Sequence, residues 1–201
     1  MANEGGFRML EVEILGKNLT LETRKGLFSP EHIDRGTLAM LKHVQIDSGM
    51  RVMDLGCGCG IVGIWAAKIV GEENVFMSDA DPNAVETAAR NAERNGVGGV
   101  SICLSDGFES VEASSFDLIL SNPPYQTDFS VAKGFIEKGF NRVKIGGKLY
   151  MVTKRREWYK NKIISVFGGV EIRETDGYFV FIAERRSQKY ANKSPKGRKK
   201  A

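Results

Sequence analysis

The sequence lacks any apolar run long enough to cross a membrane. Its longest apolar run, Ile61–Val70, is interrupted by Gly63 and Lys68, whereas a membrane-spanning helix needs about 20 mostly apolar residues. The first residues, Met1–Arg8, contain Asn, Glu and Gly rather than an apolar signal core. We therefore expect no membrane segment and a cytoplasmic location.

Cysteine and histidine are scarce. The chain has three cysteines, Cys57, Cys59 and Cys103, and two histidines. An odd, small number of cysteines excludes a disulfide framework. A single C-x-C pair with no second Cys or His cluster cannot complete a tetrahedral zinc site. The sequence therefore predicts no metal, and small residues in a tight turn explain Cys57-Gly58-Cys59.

Acidic residues are absent after Glu184. The segment 185–201 contains eight basic residues, namely Arg185, Arg186, Lys189, Lys193, Lys196, Arg198, Lys199 and Lys200. Because the whole chain carries a net charge of +4, the part that ends at Glu184 has a net charge of −4. A basic tail on an acidic body is typical of an arm that binds a polyanion such as RNA, although a merely solvated terminus has the same composition.

The remaining composition fits one ordinary α/β domain. The 201 residues are 42% hydrophobic and 27% charged, which excludes disorder of the whole chain. Alternating residues predict an N-terminal hairpin from strands 9–15 and 19–23, and Ser29-Pro30-Glu31 predicts the start of a helix that ends near Val44. We expect an N-terminal extension over residues 1–28, one domain over 29–184 and a flexible tail over 185–201. Nothing indicates a second core, and we expect a monomer.

Strand and helix patterns alternate after residue 50. The predicted strands are 51–55, 75–78, 102–104, 116–120 and 148–153, and the predicted helices are 61–70, 82–95, 131–143 and 156–167. Two final strands, 170–173 and 178–183, flank Asp176-Gly177, a hairpin turn signal. This order predicts an α/β fold: a mostly parallel sheet with helices on both faces and an antiparallel edge.

A glycine-rich loop follows the first core strand. Asp54-Leu-Gly56-Cys-Gly58-Cys-Gly60 opens a helix, so backbone N–H groups can approach a ligand there. Gly58, Gly60 and Gly63 also fit a dinucleotide-binding pattern, with Asp79 as the ribose acid. Asp54 separates the two alternatives, because a carboxylate at this position repels a pyrophosphate and attracts an amino or sulfonium cation. Asp79 has no evident local role and is assigned to ribose hydroxyls, whereas Asp81 is interpreted as a helix cap.

The segment Ser121-Asn122-Pro123-Pro124-Tyr125 follows the fourth core strand. The prolines leave carbonyl oxygens free to accept hydrogen bonds, Asn122 adds an amide oxygen, and Tyr125 offers a flat face. Acceptors on both N–H bonds of a conjugated NH2 group can aim its lone pair at a methyl donor. Open α/β sheets bind ligands at the carboxyl ends of their strands. The segment therefore predicts methylation of a planar nitrogen.

These motifs resemble the methyltransferase small-domain family, and within it the catalytic half of the C-type ribosomal small-subunit methyltransferases. The resemblance covers roughly residues 9–184 and includes blocks such as Asp34-Arg-Gly-Thr37. It implies a seven-stranded class I methyltransferase fold, S-adenosylmethionine as cofactor and guanine N2 of ribosomal RNA as acceptor. It implies catalytic roles for Asn122, Pro123, Pro124 and Tyr125. It implies cofactor binding by Asp54, Gly56, Cys57, Gly58, Asp79, Ala80, Asp106, Gly107, Phe108 and Asn122, with Asp106 facing the adenine.

The substrate remains open between several molecules. Members that act on guanine N2 often have Phe where this chain has Tyr125, and an Asn-Pro-Pro-Tyr segment also resembles release-factor glutamine methyltransferases and adenine N6 methyltransferases. We predict an RNA base as substrate, with protein glutamine and adenine N6 as alternatives. A non-catalytic RNA-binding protein with the same fold is a further alternative, which the intact Asp54, Asp79 and Asn122 disfavour.

Overall fold

A computed structural model describes residues 7–24, 33–123 and 129–191 of the chain. The strands are β1 Phe7–Ile14, β2 Lys17–Arg24, β3 Val52–Leu55, β4 Val75–Asp79, β5 Ser101–Leu104, β6 Phe116–Ser121, β7 Val143–Thr153, β8 Glu171–Thr175 and β9 Tyr178–Glu184. The helices are α1 Arg35–Leu41, α2 Ile61–Val70, α3 Pro82–Arg94, α4 Phe129–Arg142 and α5 Arg156–Phe167, with a 3-10 turn at Glu72–Asn74.

The central sheet has seven strands in the order β5-β4-β3-β6-β7-β9-β8. The strands from β5 to β7 are parallel, and β9 pairs antiparallel with β7 and β8. The turn between β8 and β9 is left-handed at Asp176 and Gly177, as the hairpin signal predicts. The strand order reverses between β3 and β6, where a doubly wound sheet opens a crevice for a ligand. The predicted α/β fold class is confirmed.

Helices cover both faces of the sheet and form two hydrophobic clusters. One cluster contains Trp65 of α2 together with residues of α1, α3 and the β1–β2 hairpin. The other contains Phe140 of α4 and Ile163 of α5. Helix α3 begins where predicted, because the Asp81 side chain accepts a hydrogen bond from the Asn83 N–H at 2.9 Å and Pro82 occupies the first helical position.

The N-terminal hairpin is attached to α3 through two asparagines one helical turn apart. Asn91 accepts from the Glu22 N–H at 2.7 Å and donates to the Glu22 carbonyl at 2.9 Å. Asn95 makes the same pair of bonds to Thr20, at 3.0 and 2.8 Å. These amides satisfy a strand edge that would otherwise carry unpaired polar groups. The hairpin is thereby fixed beside the sheet and shares its core.

The start of α1 differs from the sequence expectation. Ile33 and Asp34 are not helical, and α1 begins at Arg35 because the Asp34 carboxylate accepts from the Thr37 N–H at 2.8 Å. The expected cap at Ser29-Pro30-Glu31 lies outside the described residues. The helix also ends at Leu41 rather than near Val44.

The first residues of the expected tail pack against the body of the protein. Arg185 donates to the Val143 carbonyl at 2.7 Å, and its guanidinium lies 4.7 Å from the centre of the Phe140 ring. Tyr190 donates through its hydroxyl to the Glu137 carbonyl at 2.8 Å. Residues 192–201 lie outside the described part of the chain. None of the described helices has the length and apolarity to span a membrane.

Candidate functional site

A cleft of about 340 Å³ lies at the carboxyl ends of β3, β4 and β6. Its lining is made by the glycine loop, the ends of these strands, and residues of α1, α4 and the hairpin. Among the sequence-predicted site residues, those in the lining are Asp54, Gly56, Cys57, Gly58, Asp79, Ala80, Asp106, Gly107 and Asn122. The fold therefore brings into one cavity residues that are up to 68 positions apart in the sequence.

The glycine loop is held against the end of β4. The N–H groups of Gly56 and Cys57 both donate to the Ser78 carbonyl at 2.9 Å. Gly56, Gly58 and Gly60 have φ values of 76°, 54° and 85°, a region that other L-residues rarely adopt. The glycines therefore let the chain turn tightly from β3 into α2 while its backbone lines the cleft.

Asp79 closes this loop from the next strand. One carboxylate oxygen accepts from the Gly58 N–H at 2.8 Å and the other from the Asp81 N–H at 3.0 Å. The interpretation that Asp79 has no local role was therefore wrong. Each carboxylate oxygen can accept more than one hydrogen bond, so Asp79 retains capacity to bind a ligand hydroxyl.

Asp54 is a buried acid in the wall of the cleft. Its side chain accepts from the Gly63 N–H at 2.8 Å, and the residue is 3% exposed. Burial raises the pKa of Asp54 from 3.8 to about 7, against the stabilising Gly63 bond and with a smaller contribution from the negative charge of Asp79. A cation in the cleft would stabilise the ionised carboxylate and return the pKa towards its ordinary value.

The aromatic ring that faces the cleft belongs to Phe135 rather than to Phe108. Phe108 is 3% exposed and packs in the hydrophobic cluster beneath α4, because Gly107 turns the chain with a φ of 59°. Phe135 of α4 lines the cleft, and a Cβ placed on Gly107 would lie 3.2 Å from its ring. The apolar contact expected from Phe108 is therefore offered by Phe135.

Asn122 sits at the end of β6 with its amide held in one orientation. Its Nδ2 donates to Asp34 Oδ2 at 2.7 Å and to Thr37 Oγ1 at 3.0 Å. A carboxylate can only accept, so the NH2 side of Asn122 must face Asp34. Asn122 Oδ1 is buried and has no hydrogen-bond partner among the described residues. The site therefore contains a fixed, unused acceptor.

The adjoining residues bring Asn122 close to the glycine loop. The Ser121 hydroxyl donates to the Leu55 carbonyl at 2.8 Å and so joins the ends of β6 and β3. Pro123 is buried and does not line the cleft. Pro124 and Tyr125 lie outside the described residues.

Comparison with known proteins identifies the family. The model of the methyltransferase small domain matches residues 18–182. The chain belongs to this family. The fold, the enzyme class and the cofactor S-adenosylmethionine that the resemblance implies are thereby confirmed. Relatives include YbxB of Bacillus subtilis, 29% identical over 84% of this chain and 87% of that protein. Ribosomal RNA small subunit methyltransferase C of Acinetobacter baumannii is 30% identical over 90% of this chain and 55% of its own length.

A solved structure has the same fold. The T. thermophilus 16S rRNA N2 methyltransferase RsmC, in complex with AdoMet and guanosine, aligns with a TM-score of 0.81 and 26% identity. The alignment covers 90% of this chain and 51% of that one. The chain thus spans about half the length of these two ribosomal RNA methyltransferases.

Sequence reasoning missed three side chains of this methyltransferase site. Asp34 and Thr37 hold Asn122, and Phe135 supplies the apolar wall. The D-x-x-T spacing of Asp34 and Thr37 is a capping signal that could have indicated the first two. Gly36, between them, is essential to the geometry, since a Cβ there would lie 2.8 Å from the Asp34 carboxylate. The described residues contain no group of His, Cys, Asp and Glu that could hold a metal.

Proposed function

We propose that this protein transfers the methyl group of S-adenosylmethionine to the exocyclic amino group of an RNA base, guanine N2 in ribosomal RNA above others. Two observations on relatives support the choice of substrate. The A. baumannii relative is named as a ribosomal RNA methyltransferase, and the T. thermophilus structure holds guanosine together with AdoMet. The remaining support comes from the cleft itself.

The cleft suits a cofactor that carries both a cation and a nucleoside. Asp54 offers a buried carboxylate that gains from a nearby positive charge. Asp79, at the end of β4, can accept hydroxyls of a ribose beyond its two backbone bonds. Asp106 and the Phe135 ring lie where a planar base can be held by one polar and one apolar contact. These residues therefore fit S-adenosylmethionine.

The unpartnered Asn122 Oδ1 is the observation that carries the proposal for the acceptor. A buried acceptor without a donor costs about 1–3 kcal/mol, and an amino group of the substrate would supply the missing donor. Because Asp34 and Thr37 fix the amide, this bond also fixes the direction of the substrate nitrogen. A second acceptor is predicted among the carbonyls of Pro123 and Pro124. Tyr125 keeps its predicted role as a stacking face.

Orientation is the main catalytic contribution of these residues. The cofactor supplies an electrophilic methyl group on a sulfonium. With the cofactor bound, the substrate nitrogen would accept this methyl group through its lone pair, and the sulfur would keep the electron pair of the broken C–S bond. The methylated nitrogen then carries a positive charge and loses its extra proton to water. Hydrogen bonds that hold both N–H groups leave the lone pair in line with the methyl group, which is a proximity effect rather than base catalysis.

Transfer of labelled methyl groups tests the proposal. Wild-type protein is incubated with labelled S-adenosylmethionine and, in parallel, with ribosomal RNA, transfer RNA, DNA and a release factor. We expect label in ribosomal RNA and, after digestion to nucleosides, N2-methylguanosine. Label in the release factor, or N6-methyladenosine alone, would replace the proposed substrate by one of the alternatives.

The Asn122→Ala variant links this activity to the described site. It should lose at least about 100-fold in turnover while its affinity for S-adenosylmethionine changes little, because the Asn122 bond is made to the acceptor nitrogen. Equal losses in cofactor affinity and in turnover would show that Asn122 serves mainly to bind the cofactor.

A further inference from the structure

Three consecutive cations stand at the carboxyl end of the sheet. Lys154, Arg155 and Arg156 connect β7 to α5, and all three are exposed. Strands β3, β6 and β7 are parallel, so this connection leaves the same edge of the sheet that carries Asn122. The positive end of the α5 dipole adds to the same local field.

All three cations lie over aromatic rings, Arg156 at 5.9 Å from the centre of the Phe179 ring and the other two closer. Lys154 Nζ lies 4.9 Å from the centre of the Tyr178 ring, and the Arg155 guanidinium lies 5.0 Å from that of Phe129. Phe129 is itself stacked on Trp158 with a centroid distance of 4.2 Å. Contacts of this kind restrict a long side chain while leaving its charge available to an anion. The cations are therefore positioned before any ligand arrives.

The same aromatic rings contact the elements that position Asn122 and Phe135. The Tyr178 ring packs against Gly36, where a Cβ would lie 2.9 Å from it. Gly36 lies between Asp34 and Thr37, the two residues that hold Asn122. Phe129 begins α4, the helix that contributes Phe135 to the cleft.

Neither Lys154 nor Arg155 forms an ion pair within the described parts of the chain, whereas other exposed cations do. Lys42 pairs with Asp176 at 3.4 Å, and Arg156 pairs with Glu157 at 2.7 Å. The part of the chain that ends at Glu184 has a net charge of −4, so a polyanion needs a local positive surface to approach it. Lys154 and Arg155 supply such a surface beside the site.

We propose that the segment Lys154–Arg156 is the docking surface for the phosphodiester backbone of the substrate RNA. The proposal rests on the proposed RNA-base methyltransferase function. Phosphate contacts position a nucleic acid without reading its sequence, and here they would place an unstacked base over Asn122. The basic segment 192–201 is not part of this surface. It follows Ala191, whose N–H donates to the Val166 carbonyl at 3.1 Å, near the opposite end of α5 from Arg156. Along α5, Val166 is about 15 Å from Arg156.

Replacement of the two unpaired cations tests the docking surface. The variant Lys154→Gln/Arg155→Gln keeps the long side chains and removes both charges. The control variant Lys144→Gln/Lys148→Gln removes two cations from the first half of β7, towards the amino ends of the parallel strands. Binding is measured by fluorescence anisotropy with a labelled single-stranded 20-nucleotide RNA over a salt series, and S-adenosylmethionine affinity by calorimetry.

We expect the first variant to bind the RNA at least about tenfold more weakly at low salt. The slope of log K against log salt should fall by about 1.4, which corresponds to two fewer phosphate contacts on a single strand. Its cofactor affinity and its kcat at saturating RNA should match the wild type, while its KM for RNA rises. The control variant should keep the wild-type RNA affinity and slope.

Three results would overturn the docking surface: an unchanged RNA affinity and slope in the first variant, equal losses in both variants, or no RNA binding by the wild type. Failure of the proposed function gives a different result. In that case the wild type still binds RNA through Lys154 and Arg155 but transfers no methyl group to it.

Discussion

Asp54 is an acidic side chain in surroundings that oppose its charge. The residue is 3% exposed, with one backbone N–H bond from Gly63, and its pKa is raised to about 7. Burial of a carboxylate with so little compensation lowers the stability of the protein without its cofactor. A cationic cofactor supplies the missing compensation. The negative charge of Asp54 therefore strengthens cofactor binding and lowers the stability of the cofactor-free protein.

Asp54→Asn should stabilise the cofactor-free protein in a pH-dependent way. The pKa of Asp54 is higher in the folded state than its ordinary 3.8, so ionisation penalises folding. Wild-type stability is lost progressively as the pH rises from about 4 to about 7, and the loss is complete above that range. Asn has no such loss. The gain of the variant should grow over this window to at most about 4 kcal/mol, as measured by urea unfolding between pH 5 and pH 8.

The same variant should bind S-adenosylmethionine more weakly, because it lacks the negative charge. Asp106→Asn serves as the control, since Asp106 is an exposed carboxyl in the same cleft. Its removal should not reproduce the pH-dependent gain in stability. A gain for Asp54→Asn that is equal at pH 5 and pH 8 would contradict the assignment of the raised pKa.

Asp34 is a second acidic residue of the site, and it acts by positioning Asn122. Its Oδ2 accepts from both the Thr37 N–H and Asn122 Nδ2, so one carboxylate caps α1 and orients the catalytic amide. We expect Asp34→Ala to lower kcat by about 10- to 100-fold through misorientation of the acceptor. Loss of the cap should cost about 1 kcal/mol of folding stability. Steady-state kinetics and calorimetric measurement of cofactor affinity test this prediction.

Asp34→Asn is the matched control, because its amide oxygen can still accept both bonds. It should restore most of the turnover. If kcat of Asp34→Ala falls only in proportion to the fraction of protein that is unfolded, Asp34 acts only as a helix cap and not as a positioning residue. An equal defect in both variants would show that the negative charge, rather than the orientation, matters.

At the scale of elements, Asn91 links the hairpin, α3 and the glycine loop. Besides its two bonds to Glu22, its Nδ2 donates to the Cys59 carbonyl at 2.9 Å. Asn91→Ala would leave buried polar groups of Glu22 unpaired, and we expect it to cost about 2–3 kcal/mol. Cofactor affinity should fall as well, because the loop loses one of its supports. Asn83→Ala, on the exposed first turn of the same helix, should change neither quantity by more than about 0.5 kcal/mol.

The elements that the sequence predicts well are those with local signals. Helix α3 has Asp81-Pro82 at its start and Gly96 just beyond its end, and both ends lie within one residue of the prediction. Helix α1 was misplaced because the sequence offers two capping signals, and Ser29-Pro30-Glu31 was taken as its start rather than Asp34, whose carboxylate accepts from the Thr37 N–H. The Asn91 and Asn95 contacts with β2 were not predicted, because two polar residues on a helix give no local indication of the strand edge they satisfy.

At the scale of the whole molecule, the parallel sheet explains how much of the site could be predicted. Asp54 and Asp79 lie in the last two residues of β3 and β4, Asn122 directly follows β6, and parallel strands place their carboxyl ends at one edge. The strand pattern was therefore enough to bring them together. Phe135 reaches the same region through the packing of α4 on the sheet, and the ring contact that holds Lys154 in place likewise depends on side-chain geometry that a sequence pattern does not contain.

The last prediction concerns the C-terminal segment, which the structure divides into two parts. Residues 185–191 pack on α4 and α5 through Arg185, Tyr190 and Ala191, and the Tyr190 ring lies 4.9 Å from that of Phe140. Truncation after Glu184 should therefore cost about 2–3 kcal/mol in unfolding free energy, through lost ring burial and hydrogen bonds.

Truncation after Ala191 separates packing from charge. It removes five cations, Lys193, Lys196, Arg198, Lys199 and Lys200, and none of the contacts described for residues 185–191. Stability and S-adenosylmethionine affinity should stay within about 0.5 kcal/mol of the wild type. If the cations bind phosphate, KM for RNA rises and the salt slope becomes shallower, while kcat is nearly unchanged. If the truncated protein and the wild type have the same KM and salt slope, residues 192–201 do not contribute to RNA binding. Lys154 and Arg155 would then be the cations that bind RNA, because the rest of the protein has a net negative charge.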